Sequence, residues 1–370
     1  MRTLIRGGHL IDPSQELDGV GDLWISGDSI SEQPLQESQA DQIIDATDCV
    51  VMAGGIDIHT HIGGGKLSIA RLLMQDSMDE SARRTARMAT ESDYLPAPAI
   101  AAQRYLEMGY TTALEPAVIP CNARSAHAEM VDMPGIATGG FCLLGNDEAL
   151  LTLIAQKAPQ PMINDYVAWM VSATQSIAVK VVNAGGISAF KFAQRNLDVD
   201  TPHPEYGVTP GQVIRTLARA VFEIGLRHPL HVHASNLGVP GNIASTIATI
   251  EAANGYPIHV THAQFHCYSN QSQYGMSSAA ELLVDAMKRH RNVTIDVGQI
   301  MFGQTVTLSA DAPHQYENRS FASPKKTALM EIECEAGCGV VPFRYRRKQF
   351  VHSLQWAIGL ELFLMLDEPD

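Results

Sequence analysis

The sequence predicts an α/β protein, a TIM-type (β/α)8 barrel preceded by a small N-terminal β-domain. Three observations predict this fold. Short apolar pieces separated by turns fill residues 1–52, and from residue 53 onward strands of about five residues alternate with helical stretches. Histidine and lysine residues also recur near the ends of those strands. In such a barrel, the loops at the carboxyl ends of the strands form the catalytic pocket.

The first part of the chain reads as a set of β-hairpins. Apolar pieces such as Thr3–Ile5, His9–Ile11 and Asp22–Ile25 are separated by Gly7-Gly8 and Gly27-Asp28. Because about fifty residues cannot enclose a core of their own, we expect residues 1–52 to form part of a composite β-sandwich. The remaining residues, 53–370, are then expected to form the barrel.

Seven strands and six helices can be placed along the rest of the chain. The predicted strands are Gly55–His61, Thr111–Glu115, Gly140–Leu144, Ile177–Val182, Leu230–His233, His259–His262 and Val293–Val297. The predicted helices are Met74–Met88, Ala97–Met108, Asp147–Gln156, Pro210–Gly225, Ser245–Asn254 and Ala279–His290. This alternation is typical of a parallel sheet with helical crossovers.

The first predicted strand ends in two histidines. Residues i and i+2 of a strand lie on one face, so His59 and His61 point the same way and provide half of a metal site. The glycines Gly63-Gly64-Gly65 allow backbone or ligand to approach closely, as the mouth of a site requires. The alternative is a pair of histidines packed in the core.

Further candidate ligands follow at later strand ends. His231 and His233 repeat the two-residue spacing, and His259 and His262 follow within thirty residues. The residue nearer the strand tip is the better ligand, so His233 and His262 are preferred, and His231 and His259 are expected to fill the barrel. Neutral imidazoles suit zinc.

Lys180 would repel such metals unless carbon dioxide carboxylates its amine, which gives a carboxylate that can bridge two ions. Lys180 taken alone is an ordinary strand-end lysine, and Lys191 is a competing lysine on the following segment.

Composition and charge limit the function classes. The 370 residues are 45% hydrophobic and carry a formal net charge of −14, which disfavours nucleic-acid binding. The six cysteines show no disulfide-scaffold spacing, and Cys334 with Cys338 is only a weak metal motif. No signal peptide is recognised, and the longest apolar stretch, Leu354–Leu366, is too short to span a bilayer. A cytoplasmic protein with reduced thiols is expected.

Several segments resemble a known family. Ile43–Ala46 and Val51–His61 are similar to the amidohydrolase superfamily, whose members cut amide bonds at a one- or two-metal barrel site. More narrowly, the chain resembles, along its whole length, the A subunits of formylmethanofuran dehydrogenase and of the bacterial formyltransferase/hydrolase complex. The segments that carry this narrower resemblance are Gly63–Lys66, Ala70–Leu73, Thr112–Ala117, Lys180–Asn183, His233–Asn242, His262–Phe265 and Asp296–Gln299.

The resemblance implies a site and a reaction. It implies two zinc ions, with His59 and His61 on one, His233 and His262 on the other, and carboxylated Lys180 as the bridge. The implied reaction is hydrolysis of the N-formyl amide of formylmethanofuran to formate and methanofuran, or the reverse condensation, within a complex of one-carbon metabolism. Three amides beside these ligands, Asn183, Asn236 and Gln264, are expected to bind substrate or to cap loops. Lys66 and Arg71 are weaker candidates for the acidic tail of methanofuran.

One part of the superfamily pattern is not found. The superfamily places a catalytic aspartate at the end of an eighth strand, whereas here Lys348–Leu366 reads as a buried helix and the sequence ends shortly afterwards. Asp296 and Asp367 are poor substitutes. We therefore expect a chain cut short, with the catalytic aspartate lying beyond Asp370. The rival functions are a hydantoinase- or dihydroorotase-like cyclic amidohydrolase and a non-catalytic scaffold protein within the complex.

Overall fold

A computed structural model of the chain describes residues 1–31, 36–65, 67, 97–194, 197–298, 304–309, 330–331, 339–344 and 347–366. The chain divides into two compact units. One comprises Met1–Ile56 with Gly109–Thr112, and the other comprises Asp57–Met108 with Ala113–Asp370. The boundary expected between residues 52 and 53 stays a prediction.

The first unit is built on a five-stranded sheet. Its strands are β1 (Arg2–Asp12), β2 (Leu17–Ser26), β3 (Ser29–Ile30), β4 (Gln42–Asp45) and β5 (Val50–Met52). Antiparallel pairing joins β1 to β2 and β2 to β3, as hairpins require. Both β4 and β5 instead pair with β1 in parallel, so the sheet is not made of hairpins alone.

Nine strands follow in chain order. They are β6 (Gly55–Asp57), β7 (Tyr110–Val118), β8 (Ala137–Leu143), β9 (Ala178–Val182), β10 (Leu230–His233), β11 (Ile258–Val260), β12 (Tyr268–Ser269), β13 (Ser277–Ser278) and β14 (Val293–Ile295). Seven of them form one sheet in the order β14-β11-β10-β9-β8-β7-β6, while β12 and β13 form a separate hairpin. The predicted α/β fold of the barrel type, with an additional N-terminal sheet, is confirmed.

Nine α-helices lie within the described ranges. They are α1 (Pro98–Glu107), α2 (Ala123–Val131), α3 (Glu148–Ala155), α4 (Gln160–Ala173), α5 (Gly186–Phe190), α6 (Pro210–Glu223), α7 (Ile243–Ala252), α8 (Ala280–Arg289) and α9 (Phe350–Met365). Of the predicted helices, Met74–Met88 lies outside the described residues. None of the helices described combines the length and the apolar character needed to cross a membrane.

Three further strands, β15 (Gln304–Ser309), β16 (Met330–Glu331) and β17 (Gly339–Arg344), form a small antiparallel sheet that the sequence did not predict.

Strand alternation separates the core from the site. On β9, Val179 and Val181 belong to the main hydrophobic cluster, and Lys180 between them lies on the opposite face. The same holds on β10 and β11, where Leu230, Val232, Ile258 and Val260 are in that cluster and the intervening histidines are not. The apolar residues therefore hold the helices to the sheet, and the alternate face is left for polar chemistry.

Candidate metal centre

Four polar side chains lie in one row across the parallel sheet. His231 of β10 pairs in register with Lys180 of β9 and with His259 of β11, and His259 pairs with Thr294 of β14. Lys180 and His231 are fully buried, with 1% and 0% of their surface exposed. A buried layer that would ordinarily hold aliphatic side chains is thus filled with groups that can bind protons or metals.

His59 lies against this row. Its Nδ1 is 2.9 Å from Nε2 of His231, 2.7 Å from Oγ1 of Thr261 and 3.4 Å from Nζ of Lys180. Burial, together with the positive charge of Lys180, lowers the pKa of His59 well below its ordinary value. These contacts all use Nδ1, which leaves Nε2 of a neutral ring for another ligand.

His61 is oriented by a buried carboxylate. Its Nδ1 donates to Oε1 of Glu115 over 2.8 Å, and Glu115 is 1% exposed. The other carboxylate oxygen accepts the backbone N–H groups of Ile62 and Gly63, and Oε1 also accepts that of Ala117. A carboxylate that holds one ring nitrogen and leaves the other available is the usual support for a metal-binding histidine.

The strand β6 that precedes these two histidines ends earlier than predicted. It stops at Asp57 rather than His61, because Oδ1 of Asp57 accepts the backbone N–H of His59 and turns the chain. The backbone N–H of Thr60 still bonds to the carbonyl of Leu114 on β7. His59 and His61 therefore lie on the loop just after the strand.

A second group of imidazoles contains His233, His262 and His266. Their ring centroids lie 4.7, 5.0 and 5.1 Å apart. One ring nitrogen of each histidine lies within 4.8 Å of a ring nitrogen of the other two. Burial, with the charges of His233 and His266, lowers the pKa of His262 well below its ordinary value. Nδ1 of His262 is buried without a hydrogen-bond partner in the described part of the chain.

Asp296 connects the two groups of histidines. Oδ2 accepts from Nε2 of His259 over 2.9 Å, and Oδ1 accepts the backbone N–H of His262 over 2.5 Å. Burial acts to raise the pKa of Asp296, but the bond from His259 and the charges of His259 and His262 outweigh it and hold the pKa at about 2. One carboxylate oxygen of Asp296 also lies within 4.8 Å of a ring nitrogen of His59 and of a ring nitrogen of His231.

The positive charge of Lys180 acts on four of the imidazoles. Beside burial, which is the larger cause, it lowers the pKa of His59, His228, His231 and His262. For His228 the resulting pKa is about 4. These four imidazoles are consequently neutral near pH 7, and neutral imidazole is the form that binds divalent metals.

The predicted substrate amides differ in what holds them. Nδ2 of Asn236 donates to Oγ of Ser245 over 2.8 Å. The amide of Gln264, by contrast, is engaged at both ends by the backbone of Gly298, since Nε2 donates to its carbonyl and Oε1 accepts its N–H. Asn183 and Asn236 adopt left-handed backbone angles, with φ of 41° and 63°, and so does His262 with φ of 38°. Such conformations in non-glycine residues cluster at functional sites.

Other expected residues lie apart from the cluster or outside the described residues. Lys191 forms an ion pair with Glu148 over 3.0 Å at the surface. Lys66, Arg71, Asp367, Cys334 and Cys338 lie outside the described residues.

Sequence reasoning misses three residues of the cluster. It identifies Glu115 only as the end of a predicted strand, and it sets Asp296 aside as a residue of the seventh strand. It does not single out His266, although the four-residue distance from His262 is a usable signal.

The sequence matches a known protein family. The amidohydrolase family matches residues 42–369. The chain belongs to the amidohydrolase family.

Two relatives are similar to it over almost the whole chain. It is 44% identical to the A subunit of the formyltransferase/hydrolase complex Fhc of Methylorubrum extorquens, over 100% of this chain and 68% of that protein. It is 34% identical to protein FwdA of Methanocaldococcus jannaschii, over 98% of this chain and 66% of that protein. The resemblance to these proteins is thereby confirmed, and the chain spans about two thirds of the length of the relatives.

A solved structure shows the same fold. The formyltransferase/hydrolase complex (FhcABCD) from Methylorubrum extorquens, in complex with methylofuran, contains a chain that superposes with a TM-score of 0.88 at 42% identity. The match covers 100% of this chain and 67% of that one.

Proposed function

We propose that this chain is the formyl-hydrolysing subunit of a one-carbon complex. The reaction is the zinc-dependent hydrolysis of the N-formyl amide of formylmethanofuran to formate and methanofuran, or the reverse condensation. One observation carries the proposal: His59 and His61 are both held through Nδ1, next to a buried Lys180, in an amidohydrolase chain. That arrangement leaves Nε2 of both histidines available as ligands, and Nζ of Lys180 lies 3.4 Å from Nδ1 of His59.

The donor set fits a pair of zinc ions. His59 and His61 would hold one ion, His233 and His262 the other, and Lys180, once carboxylated, would bridge them. Carboxylation converts the buried cation into an anion and so removes the repulsion that the charge of Lys180 exerts on the metals. When bound, the zinc ions would lower the pKa of water and polarise the formyl carbonyl.

The amides beside these ligands are proposed to position the substrate. Asn183 and Asn236 stand at the ends of β9 and β10, at the edge where βα loops form the pocket. Because Gly298 engages both ends of the Gln264 amide, we propose that Gln264 joins the loops after β11 and β14. The catalytic aspartate of the superfamily is not assigned to any described residue.

The partners are proposed from the relatives. The Methylorubrum extorquens relative is named as the A subunit of a formyltransferase/hydrolase complex, and its solved complex holds methylofuran. We propose that this chain likewise assembles with other subunits of such a complex, or of a formylmethanofuran dehydrogenase, with methanofuran as coenzyme. We also propose a cytoplasmic location.

Metal content and formate release test the proposal together. We expect about two zinc ions per chain by elemental analysis, and release of formate from a simple formamide such as N-benzylformamide. Lys180→Ala should lose at least one zinc and at least about 100-fold of the activity, whereas Lys191→Ala, at an exposed lysine, should keep both. A ¹³C-labelled bicarbonate pulse should give a carbamate signal in wild type that Lys180→Ala lacks.

Two other functions remain as alternatives. A scaffold protein would release no formate in that assay, whether it keeps or has lost its metal, and this result would overturn the proposal. A cyclic amidohydrolase would bind zinc but would open a hydantoin or a dihydropyrimidine in preference to the formamide. The match of the whole chain to the two relatives above favours the formamide.

A further inference from the structure

Three side chains form a hydrogen-bonded series that ends at Asn236. Oγ of Ser245 lies 3.0 Å from Oδ2 of Asp198, and Nδ2 of Asn236 lies 2.8 Å from the same Oγ. Ser245 is on α7, which follows the loop after β10, and Asp198 is on the segment that leads to α6. Three separate parts of the chain therefore meet at one hydroxyl.

The chemistry of these groups decides which way the Asn236 amide faces. Asp198 is a carboxylate that only accepts, so the single proton of the Ser245 hydroxyl goes to Oδ2 of Asp198. The Ser245 oxygen is then an acceptor, and the group that reaches it from Asn236 has to be the NH2. Oδ1 of Asn236 consequently points to the other side, and the usual ambiguity of an amide orientation is removed.

Oδ1 of Asn236 is a buried acceptor with no hydrogen-bond partner within the ranges that the structure describes. The residue itself is 8% exposed. Its backbone is held in the left-handed region at φ 63°, and its carbonyl accepts from Nδ2 of Asn242. Because a buried acceptor without a donor is costly, a side chain fixed in this way indicates a ligand that brings its own donor.

The position of Asn236 indicates which donor that is. It follows His233 by three residues, just beyond the end of β10, at the edge where the candidate metal ligands lie. A secondary formamide offers one strong donor, the N–H next to the formyl carbon. We infer that Oδ1 of Asn236 accepts this N–H, and that Ser245 and Asp198 are positioning residues that fix its direction. The inference rests on the proposed function and adds that the site recognises the N–H of the formamide.

The decisive measurement compares two ligands that differ in whether the amide nitrogen carries a hydrogen or a methyl group. N-benzylformamide has the N–H, and N-benzyl-N-methylformamide lacks it. We expect wild type to prefer the first by about 10-fold or more in kcat/KM, because the second leaves Oδ1 without a donor. Binding of both to the metal-free chain, followed by ligand-observed NMR, should show a preference in the same direction.

Variants of the positioning residues test the series itself. Ser245→Ala should remove most of the preference for the N–H ligand, and Ser245→Thr, which keeps the hydroxyl, should retain it. Asp198→Asn is the sharper change, because Oδ1 of Asp198 accepts the backbone N–H of Val199 over 2.8 Å. The new NH2 would then face Ser245, whose proton would turn to Asn236 and rotate that amide. The preference should then fall to about one or reverse.

The two proposals fail in different ways. Formate release with equal use of both ligands in wild type, unchanged by Asp198→Asn, overturns the inference and leaves the proposed function. Absence of turnover with an intact binding preference overturns the proposed function and leaves the inference. Since Asp198 is exposed, its variant is expected to fold even if Ser245→Ala does not, and thermal unfolding of each variant checks this.

Discussion

Glu115 shows how much a single buried side chain can organise. Its two oxygens accept one imidazole N–H and three backbone N–H groups, all from the loop after β6 or from its own strand. The carboxylate therefore supports the fold of the loop and the orientation of His61 at the same time.

Replacing Glu115 tests both roles. In Glu115→Gln one oxygen becomes an NH2 that opposes the N–H groups it meets, so we expect zinc affinity to fall by about 10-fold or more. The free energy of unfolding should also fall, by about 1–3 kcal/mol, because buried donors lose their acceptor. Competition with a zinc chelator measures the first change, and urea unfolding measures the second.

Glu148→Gln is the matched control for this change. Glu148 is an exposed carboxylate, 49% exposed at the side chain, which pairs with Lys191 at the surface. An equal zinc affinity for Glu115→Gln and Glu148→Gln would contradict the role given to Glu115.

Candidate ligands are easier to recognise in the sequence than the residues that support them. His59 with His61, and His231 with His233, stand out because each pair has the two-residue spacing of a strand, and His262 and Lys180 stand out near other strand ends. Glu115 and Asp296 cannot be recognised in the same way, since their roles depend on pairing between strands. Thr261, which contacts His59 over 202 positions of sequence, carries no local signal at all.

At the scale of elements, periodicity predicts the parallel strands well. All seven are placed, because buried strands of this type are short apolar runs between turns. Their ends are less predictable. β6 ends at Asp57, which turns the chain before His59 and His61. β11 contains His259 but ends at Val260, before His262, which adopts a left-handed backbone conformation. Helix α4 is missed because Gln160–Ala173 mixes aromatic and β-branched residues, which weakens the helical signal.

The start of helix α6 is stabilised by residues that are close in sequence, and mutation can test this. Thr209 accepts the backbone N–H of Gln212, and the Gln212 side chain accepts that of Thr209, which is a capping box with Pro210 at the first position. Thr209→Ala should lower the free energy of unfolding by about 1 kcal/mol, because the N-terminal N–H loses its acceptor. Thr209→Ser keeps the hydroxyl and should be close to wild type in urea unfolding. A loss of the same size in both variants would show that the methyl group matters instead.

At the scale of the whole molecule, the buried imidazoles are a cost as well as a site. Nε2 of His228 lies 3.0 Å from Nδ1 of His231, which in turn reaches His59, so three rings form a series through the second unit. Burial keeps each of these rings neutral, and it lowers the pKa of His228 to about 4. A neutral ring in the folded chain that would accept a proton in the unfolded chain links stability to pH.

The sign of this linkage follows from the direction of the shifts. Between pH 6.5, the ordinary histidine pKa, and about 4, the unfolded chain binds protons that folded His228 does not, so acid destabilises the fold. Asp296 affects the stability of the fold in a different pH range. Its pKa of about 2 makes it stabilising above about 3.9, and that contribution is lost only as the pH falls from there towards 2. A loss of stability between pH 6.5 and pH 4 therefore reports on the histidines and not on Asp296.

Metal-free protein should accordingly become less stable as the pH falls from 7.5 to 5. At about 1.4 kcal/mol per pKa unit, His228 alone contributes a loss of roughly 2 kcal/mol by pH 5, with His59, His231 and His262 adding to it. His228→Gln removes one titrating ring and should weaken the pH dependence by that amount, as urea unfolding at the two pH values can measure. His9→Gln, at an exposed ring that pairs with Asp18, should keep the wild-type dependence. If His228→Gln loses as much stability on acidification as wild type does, the buried series is not what links this fold to pH.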